Sequence, residues 1–380
     1  MSSGPRLADE AELLDWDAHT VDGPGGHVYQ SRTWGEQRAR LGWTPLHAVV
    51  GGTHRALVLV RRAPLVGVAT AYVPRGPVAG ADAGQAAAER VVELARWLAR
   101  EHGVASLATD AEIPAEDTAY GRTLAAGGFR PIPEIQPSRH RVSLALPPGA
   151  DEAALRSGMT RSTRQRVDRA DRDGIVVTRH DRAGWVAGPD AEPATVDPFR
   201  APPDGDGASD AALETFADLL ADTGARRGFR FGPRSVFVDW WRAGLAAGHV
   251  VYLAAADPAR PDRTLGGLLL YRHGERLSTV HSGDVADIRD QHPGIMHLLR
   301  WRAIQLALRE GRSEMDLGGV DVAPRHEEPE RDSPMAGLYE HKRSFGARWV
   351  AMTGARERVA SPPRAALGRI AARAGRILAR

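Results

Sequence analysis

The sequence contains no cysteine and no asparagine, and its 380 residues include one lysine. Without cysteine there are no disulfides, no thiolate-ligated zinc or iron–sulfur clusters and no thiol nucleophile. No run of 18 or more apolar residues occurs, so no transmembrane helix is expected. The opening MSSGPRLADEAELLDWD is acidic and lacks an apolar segment, so no secretory signal is expected and the expected location is the cytoplasm. The 14 histidines show no HExxH or similar spacing, and no metal is expected. Of the 50 basic side chains 49 are arginine. Asparagine and lysine both use A-rich codons, so a GC-rich genome accounts for both shortages. That bias makes Lys342 informative. Arginine replaces a surface lysine at little cost, but not a lysine acting as a compact ammonium charge.

What is present fits a globular protein of two ordinary domains: 40.9 kDa, 42% hydrophobic and 26% charged. Charge is uneven. Residues 355–380 carry seven arginines and one glutamate, net +6 against +2 for the chain, so residues 1–354 hold the difference, −4. A basic tail suggests a polyanionic partner, nucleic acid or an anionic membrane.

Periodicity predicts an α+β chain with mixed strands. A helix is expected over 1–18 and another within 27–43. LHAVVGG and HRALVLVRRAPLVGVATAYV read as alternating strands broken at Gly51 and Gly52. Residues 83–103 place apolar residues at i, i+3, i+4 and i+7 and end at Gly103, an amphipathic helix. VASLATD, HRVSLAL, IVVTRH, VVYLAAA, LGGLLLYRHG, RLSTVHSG, SEMDLGG and RWVAMTG read as strands, with helices over 151–173, 210–226, 233–247 and 294–310. Residues 187–209 are rich in Pro, Gly and Asp without periodicity and read as a disordered insertion. The second half repeats the element order of the first, which suggests an internal duplication. Residues 361–380 form a basic amphipathic tail: Leu367, Ile370, Ala371, Ala374, Ile377 and Leu378 fall on one stripe.

Several residues are candidates for chemistry, each beside a plainer reading. Lys342, between a loop and a strand, would neutralise a developing oxyanion; the alternative is a surface lysine spared by drift. Gly318 and Gly319 allow close approach of a ligand, or simply a tight strand exit. Gln291-His292-Pro293-Gly294-Ile295-Met296 opens a long helix like a degraded phosphate cradle, with Met296 where a small residue belongs; a plain helix start is the alternative. Arg161, Arg164 and Arg169 share a helical face suited to phosphates, but Asp168, Asp171 and Asp173 are interleaved, as in a solvated salt-bridged face. Asp110 ends a strand, a place for a general base and equally for a turn former. His281 and His341 are of the residue type that titrates near neutrality, or are structural.

Taken in order, a set of motifs resembles the Fem family of non-ribosomal peptidyltransferases over roughly residues 27–360. Tyr29-Gln30-Ser31 with Trp34-Gly35 and Gly42-Trp43, Arg75-Gly76-Pro77, Ile135-Gln136-Pro137, the basic stretch Arg161 to Gly174, Trp301 with Ala303-Ile304, Asp316-Leu317-Gly318-Gly319, and Lys342 with Phe345-Gly346 carry the resemblance. It implies two acetyltransferase-like domains, mixed sheets flanked by helices, the second inserted in the first: 1–146 plus 335–360, and 147–334. No segment suits a coiled-coil arm.

The resemblance implies transfer of an amino acid from aminoacyl-tRNA to an amine of a peptidoglycan precursor, with no cofactor beyond the donor. It implies Lys342 as oxyanion stabiliser, with Asp110, His341 or the substrate itself as proton acceptor, and Trp34, Arg38, Arg75, Arg230, His281, Gly318, Gly319 and Phe345 around the substrates. Arg161, Arg164 and Arg169 would meet tRNA phosphates. His341, His281 and Met315 depart from the family's usual aromatic residues, which bears on specificity. The tail at 364–380 would lie peripherally on the inner face of an anionic membrane or grip tRNA. Two other readings stand beside this one: an aminoacyl-tRNA-dependent transferase acting on a small-molecule or peptide scaffold, and an acyl-CoA-dependent N-acyltransferase.

Overall fold

The structure is a computed structural model that describes residues 4–63, 66–77, 84–181, 199, 205–228, 232–286, 291–368 and 370. Fourteen strands occur among them: β1 (Arg6–Leu7), β2 (Thr44–Val50), β3 (His54–Arg62), β4 (Ala69–Val73), β5 (Val104–Thr109), β6 (Phe129–Pro131), β7 (Arg141–Ala145), β8 (Val176–His180), β9 (Val250–Asp257), β10 (Arg260–His273), β11 (Arg276–Asp284), β12 (Glu314–Asp316), β13 (Arg348–Val350) and β14 (Arg356–Val359). They form two seven-stranded sheets, in the orders β1-β2-β3-β4-β5-β14-β6 and β13-β7-β12-β11-β10-β9-β8.

The two sheets are the same design. Each starts as a four-stranded antiparallel run, β1 to β4 or β8 to β11. Each then has one parallel pair, β4 with β5 or β11 with β12. A parallel pair needs a crossover, supplied by the helices Gly84–Glu101 and Ile295–Arg309. The seventh strand of each unit is exchanged. β7 follows the first unit in sequence but pairs with β12 and β13, whereas β14 follows the second unit but pairs with β5 and β6. The expected duplication and α+β class are therefore present, with a reciprocal strand exchange locking the halves together.

The exchange moves the expected boundaries. Sheet membership puts Arg141–Ala145 in the second unit, not before a boundary at 146. It also keeps Ala336–Arg343 and β13 beside the second sheet, where residues 335–360 were assigned to the first. Only β14 returns. Local pattern cannot show which sheet an alternating strand joins. Near the N-terminus the single helix expected over 1–18 is instead β1 and two short helices, Glu10–Leu14 and Trp16–Thr20. The insertion at 187–209 lies outside the described residues except Phe199 and 205–209, the last forming the start of the helix Gly205–Arg227.

The crossover helix Gly84–Glu101 turns Ala87, Ala88, Val91, Leu94, Ala95 and Leu98 onto the first sheet and stops before Gly103 at φ 63°, a conformation glycine adopts without penalty. The second core gathers under Ile295–Arg309 around Leu298, Leu299, Trp301 and Ile304. A third cluster joins the units: Trp16, Val28, Trp34, Leu57 and Leu59 pack with Phe216, Trp240, Trp241, Tyr252 and Tyr271. The Trp34 ring meets Trp240 edge-on at 4.7 Å. Truncating one such buried aromatic typically costs about 3–5 kcal/mol.

Candidate functional site

Lys342 sits near the end of the helix Ala336–Arg343 and is only 4% exposed. Its Nζ donates to the carbonyl of Gly318 at 2.8 Å and of Gly319 at 3.0 Å. Both glycines are required. Gly318 has φ 83°, and a Cβ there would lie 2.9 Å from the Thr279 carbonyl. A Cβ on Gly319 would lie 2.3 Å from Ser138 Cβ. Burial first, then the positive charge of Arg300, holds the Lys342 amine well below the ordinary lysine range, while Asp316 and Asp321 oppose this. Asp316 accepts from the Gly318 N–H at 2.7 Å, and burial raises its carboxyl despite Arg141 and Arg276.

From Gly319 the contacts run to the other sheet. Ser138, behind Gly319, accepts from Arg75 Nη2 at 3.2 Å. Arg75 has φ 52°, unusual for a residue with a side chain, and is fixed by donating its backbone N–H to Asp110 Oδ1 at 2.7 Å. Asp110 Oδ2 accepts from Tyr72 Oη at 2.9 Å, and Gln136 Nε2 donates to that phenol at 3.2 Å. Burial raises the Asp110 carboxyl, and Arg75 counters it. Asp110 thus positions Tyr72 and Arg75 and meets the neighbouring cleft only through the phenol.

That cleft, about 460 Å³, is lined by Trp34, Arg38, Tyr72, Ile135, Gln136 and Glu357, among others. Arg38 stacks its guanidinium 3.7 Å from the Trp34 ring centre, and Trp34 in turn stacks on Tyr29 at 4.2 Å. Arg38 has no carboxylate partner among the described residues, and its Nε is buried without an acceptor. Burial lowers its pKa, the expected direction for an unpaired cation. A cation in this state is suited to an incoming anion.

His341 is placed beside Lys342 but is not free to act as a base. Its Nε2 accepts from Arg300 Nε at 2.8 Å, so the ring proton is on Nδ1, 3.2 Å from His297 Nε2. Both nitrogens are engaged and no lone pair remains. Burial, Arg300 and His297 keep the ring neutral far below the usual histidine range, and burial with Arg166 and Arg300 holds His297 at about 4. His281 lies after a bulge in β11, where Leu269 faces His281 and Leu270 faces Thr279. Bulges re-aim side chains in this way. Its ring meets Phe237 at 5.8 Å and Trp241 at 5.6 Å, two residues that line a second cleft of about 610 Å³ between the helices Gly205–Arg227 and Arg234–Ala247.

Other sequence candidates fare differently. Phe345 is fully buried in the second core, so it packs behind His341 instead of touching a substrate. Arg164 caps the preceding helix by donating to the carbonyls of Arg156, Ser157 and Met159, and Arg169 is paired with Asp173 at 2.8 Å. Only Arg161 is exposed without such a partner, so the expected phosphate face is mostly spent on structure. Arg230 and most of 364–380 lie outside the described residues.

Sequence reasoning missed an ion cluster at the junction of the units. Glu112 accepts from Arg276 in a very short contact and faces Arg141 at 3.4 Å, Arg75 at 3.7 Å and His27 at 4.0 Å. Burial would raise its carboxyl, but Arg276, His27, Arg75 and Arg141 together hold it well below the carboxylate range. Its only signal was alternation in Asp110-Ala111-Glu112. Arg300 and His297 were likewise hidden, in an apolar-looking helix. Among the described residues no group of three or more His, Asp or Glu is placed to hold a metal ion, and no helix is long and apolar enough to cross a membrane.

Residues 194–365 match the sequence model of the acetyltransferase (GNAT) domain family. Among solved structures, that of FemX aligns with TM-score 0.74 at 18% identity, covering 95% of this chain and 98% of that one. The chain has the FemX fold. The same fold extends more weakly to L-PGS from Bacillus licheniformis (TM-score 0.54, 12% identity, 97% and 98% covered). A conserved protein of unknown function from Bacteroides thetaiotaomicron VPI-5482 is similar to the same degree (0.53, 10%, 93% and 97%). No curated protein matches the chain.

The segment 291–296, read from sequence as a degraded phosphate cradle, opens the helix Ile295–Arg309. Here a Cβ on Gly294 would lie 2.1 Å from the Arg166 carbonyl and 3.0 Å from Ala170. The glycine is explained by close packing on the helix Arg161–Arg172.

Proposed function

We propose that the protein is an aminoacyltransferase that moves an amino acid from aminoacyl-tRNA to an amine of a peptidoglycan precursor. The observation that carries this reading is the buried Lys342 amine, tethered by the Gly318 and Gly319 carbonyls where the β11–β12 parallel pair ends. Protonated, the amine has three N–H groups. Two are used by the glycines, and the third is left for the oxyanion formed when an amine attacks the ester carbonyl. Burial and Arg300 press the amine toward its neutral form while Asp316 and Asp321 oppose this, and an amine protonated in such a setting gains from a negative charge developing beside it. The ester is already activated, and holding the reactants in register does most of the rest. The unpaired Arg38 over Trp34 suits the phosphates of a nucleotide- or lipid-linked acceptor.

The test is transfer of radiolabelled amino acids from a charged total tRNA pool to a UDP-linked muramyl pentapeptide and to its lipid-linked form. RNase treatment and Lys342→Ala serve as controls. RNase-sensitive label on either acceptor supports the reading, and its absence from both refutes the peptidoglycan acceptor. The acetyltransferase-domain match favours a second reading, an acyl-CoA donor. The packing of Gly294 weighs against it, and label from acetyl-CoA on an amine would establish it.

A further inference from the structure

The reaction proposed above needs a proton acceptor, and the two residues that sequence position suggests are both occupied. Asp110 is held by the Arg75 N–H and the Tyr72 hydroxyl, and His341 has both ring nitrogens engaged. A different histidine on the Gly318–Gly319 side is not so constrained. His326 Nδ1 lies 2.6 Å from Asp321 Oδ2. An ionised carboxylate only accepts, so Nδ1 carries the proton and the lone pair is on Nε2. Nε2 has no partner among the described residues and is not among the sealed, unsatisfied atoms.

The support beneath this dyad is extensive. Asp321 is itself buried and accepts from the backbone N–H groups of Arg139 at 2.8 Å and His140 at 3.1 Å. Those residues directly follow Ser138, the one against which Gly319 is packed. The dyad and the Lys342 tether thus share one wall. The Asp321 charge also favours the Lys342 ammonium. His326 has φ 54°, a strained backbone for a residue with a side chain, and its carbonyl bonds to the His140 ring. The His140 ring is fixed in turn by the Met352 N–H at 2.9 Å. Strain that the surroundings over-determine is characteristic of functional positions.

We propose that His326, oriented by Asp321, is the general base of the transfer; this rests on the aminoacyl-transfer reading. The acceptor nitrogen bonds to the ester carbonyl carbon while His326 Nε2 takes a proton from that nitrogen. The tetrahedral adduct places its oxyanion on Lys342. Its collapse breaks the carbon–oxygen bond to the tRNA sugar, and the departing oxygen takes the proton back from His326. Asp321 is a positioning residue: it fixes the tautomer and stabilises the imidazolium in between.

The experiment uses the full chain with the charged tRNA pool and the UDP-linked muramyl pentapeptide. His326→Ala, His326→Gln and Asp321→Asn are compared with wild type, and thermal unfolding confirms that each folds. The expected result is a kcat lowered roughly 10²–10⁴-fold in His326→Ala with the acceptor KM nearly unchanged. Added imidazole should restore part of the rate in His326→Ala but not in His326→Gln, where the amide fills the space. A merely structural histidine would show no such rescue. A folded His326→Ala variant that keeps its rate, or loses it without imidazole rescue, overturns the base assignment while the transferase reading stands. A wild-type protein that transfers nothing overturns that reading, and the base role with it.

Discussion

Lys342 and Gly318 depend on each other: the Lys342 Nζ lies 2.8 Å from a carbonyl that faces it because Gly318 has φ 83°. Two variants separate the two sides of this relationship. Lys342→Arg should lower the transfer rate about 10²–10³-fold, because a planar guanidinium cannot occupy a point-charge site between two carbonyls. Gly318→Ala should cost about 1–3 kcal/mol of stability, since the backbone conformation is unfavourable and the new Cβ meets the Thr279 carbonyl at 2.9 Å. Single-turnover transfer and chemical denaturation measure the two effects.

Arg38 makes a separable contribution. It stacks on Trp34 in a cleft of the first unit, with no carboxylate to neutralise it among the described residues. Arg38→Ala should raise the KM for a phosphate-bearing acceptor at least about tenfold, the equivalent of ~1.4 kcal/mol, with kcat little changed. An acceptor analogue lacking the phosphates should not distinguish the variant from wild type. Steady-state kinetics with both acceptors checks this.

Gly294 tests the donor. If it serves packing, Gly294→Ala must push apart the helices Ile295–Arg309 and Arg161–Arg172, because the methyl would sit 2.1 Å from the Arg166 carbonyl. Overpacking of this kind costs about 1–3 kcal/mol. The thermal midpoint should therefore fall whether or not acetyl-CoA is present. A variant as stable as wild type that had lost binding of acetyl-CoA would point to a phosphate role instead.

Much of this architecture is legible in the sequence, for identifiable reasons. Alternating strands and the amphipathic helix Gly84–Glu101 are local patterns, and local patterns gave the α+β class and the repeated element order. The exchange of β7 and β14 is not local. Either strand satisfies either sheet by pattern alone, and only the tertiary pairing with β12 or β5 decides. In the site, Lys342 was visible through its rarity, and Gly318 and Gly319 through their adjacency. Arg75, Arg141, Arg276 and Arg300 form the electrostatic frame, but in a chain with 49 arginines no single one stands out. His326 was hidden among charged residues of a loop, and its orientation by Asp321 depends on a hydrogen bond across five residues. The misjudged candidates have the opposite fault: Phe345, Arg164 and Arg169 belong to recognisable motifs, but packing and capping use them up.

The buried histidines make a prediction about pH and stability. Burial is the main cause that lowers His27 to about 3 and His281 and His297 to about 4, from an ordinary value of 6.5. A lowered histidine pKa means that the folded protein holds the ring neutral while the unfolded chain protonates it. Between about 4 and 6.5 the unfolded state therefore binds more protons at these rings, and their contribution makes stability rise with pH across that window, against the opposite pull of the raised Asp110 and Asp316 carboxyls. Acidification through the same window should lower the denaturation midpoint steeply, with the stabilisation complete above 6.5. His297 sits against Arg166 and Arg300, so His297→Gln removes one proton-linked site while keeping a polar group there. Its stability should be less steep in pH than that of wild type, and the two curves should converge on the acid side. Urea unfolding at a series of pH values measures both slopes. Wild-type and His297→Gln profiles of equal slope across this window would mean that the His297 ring is not held neutral by the fold.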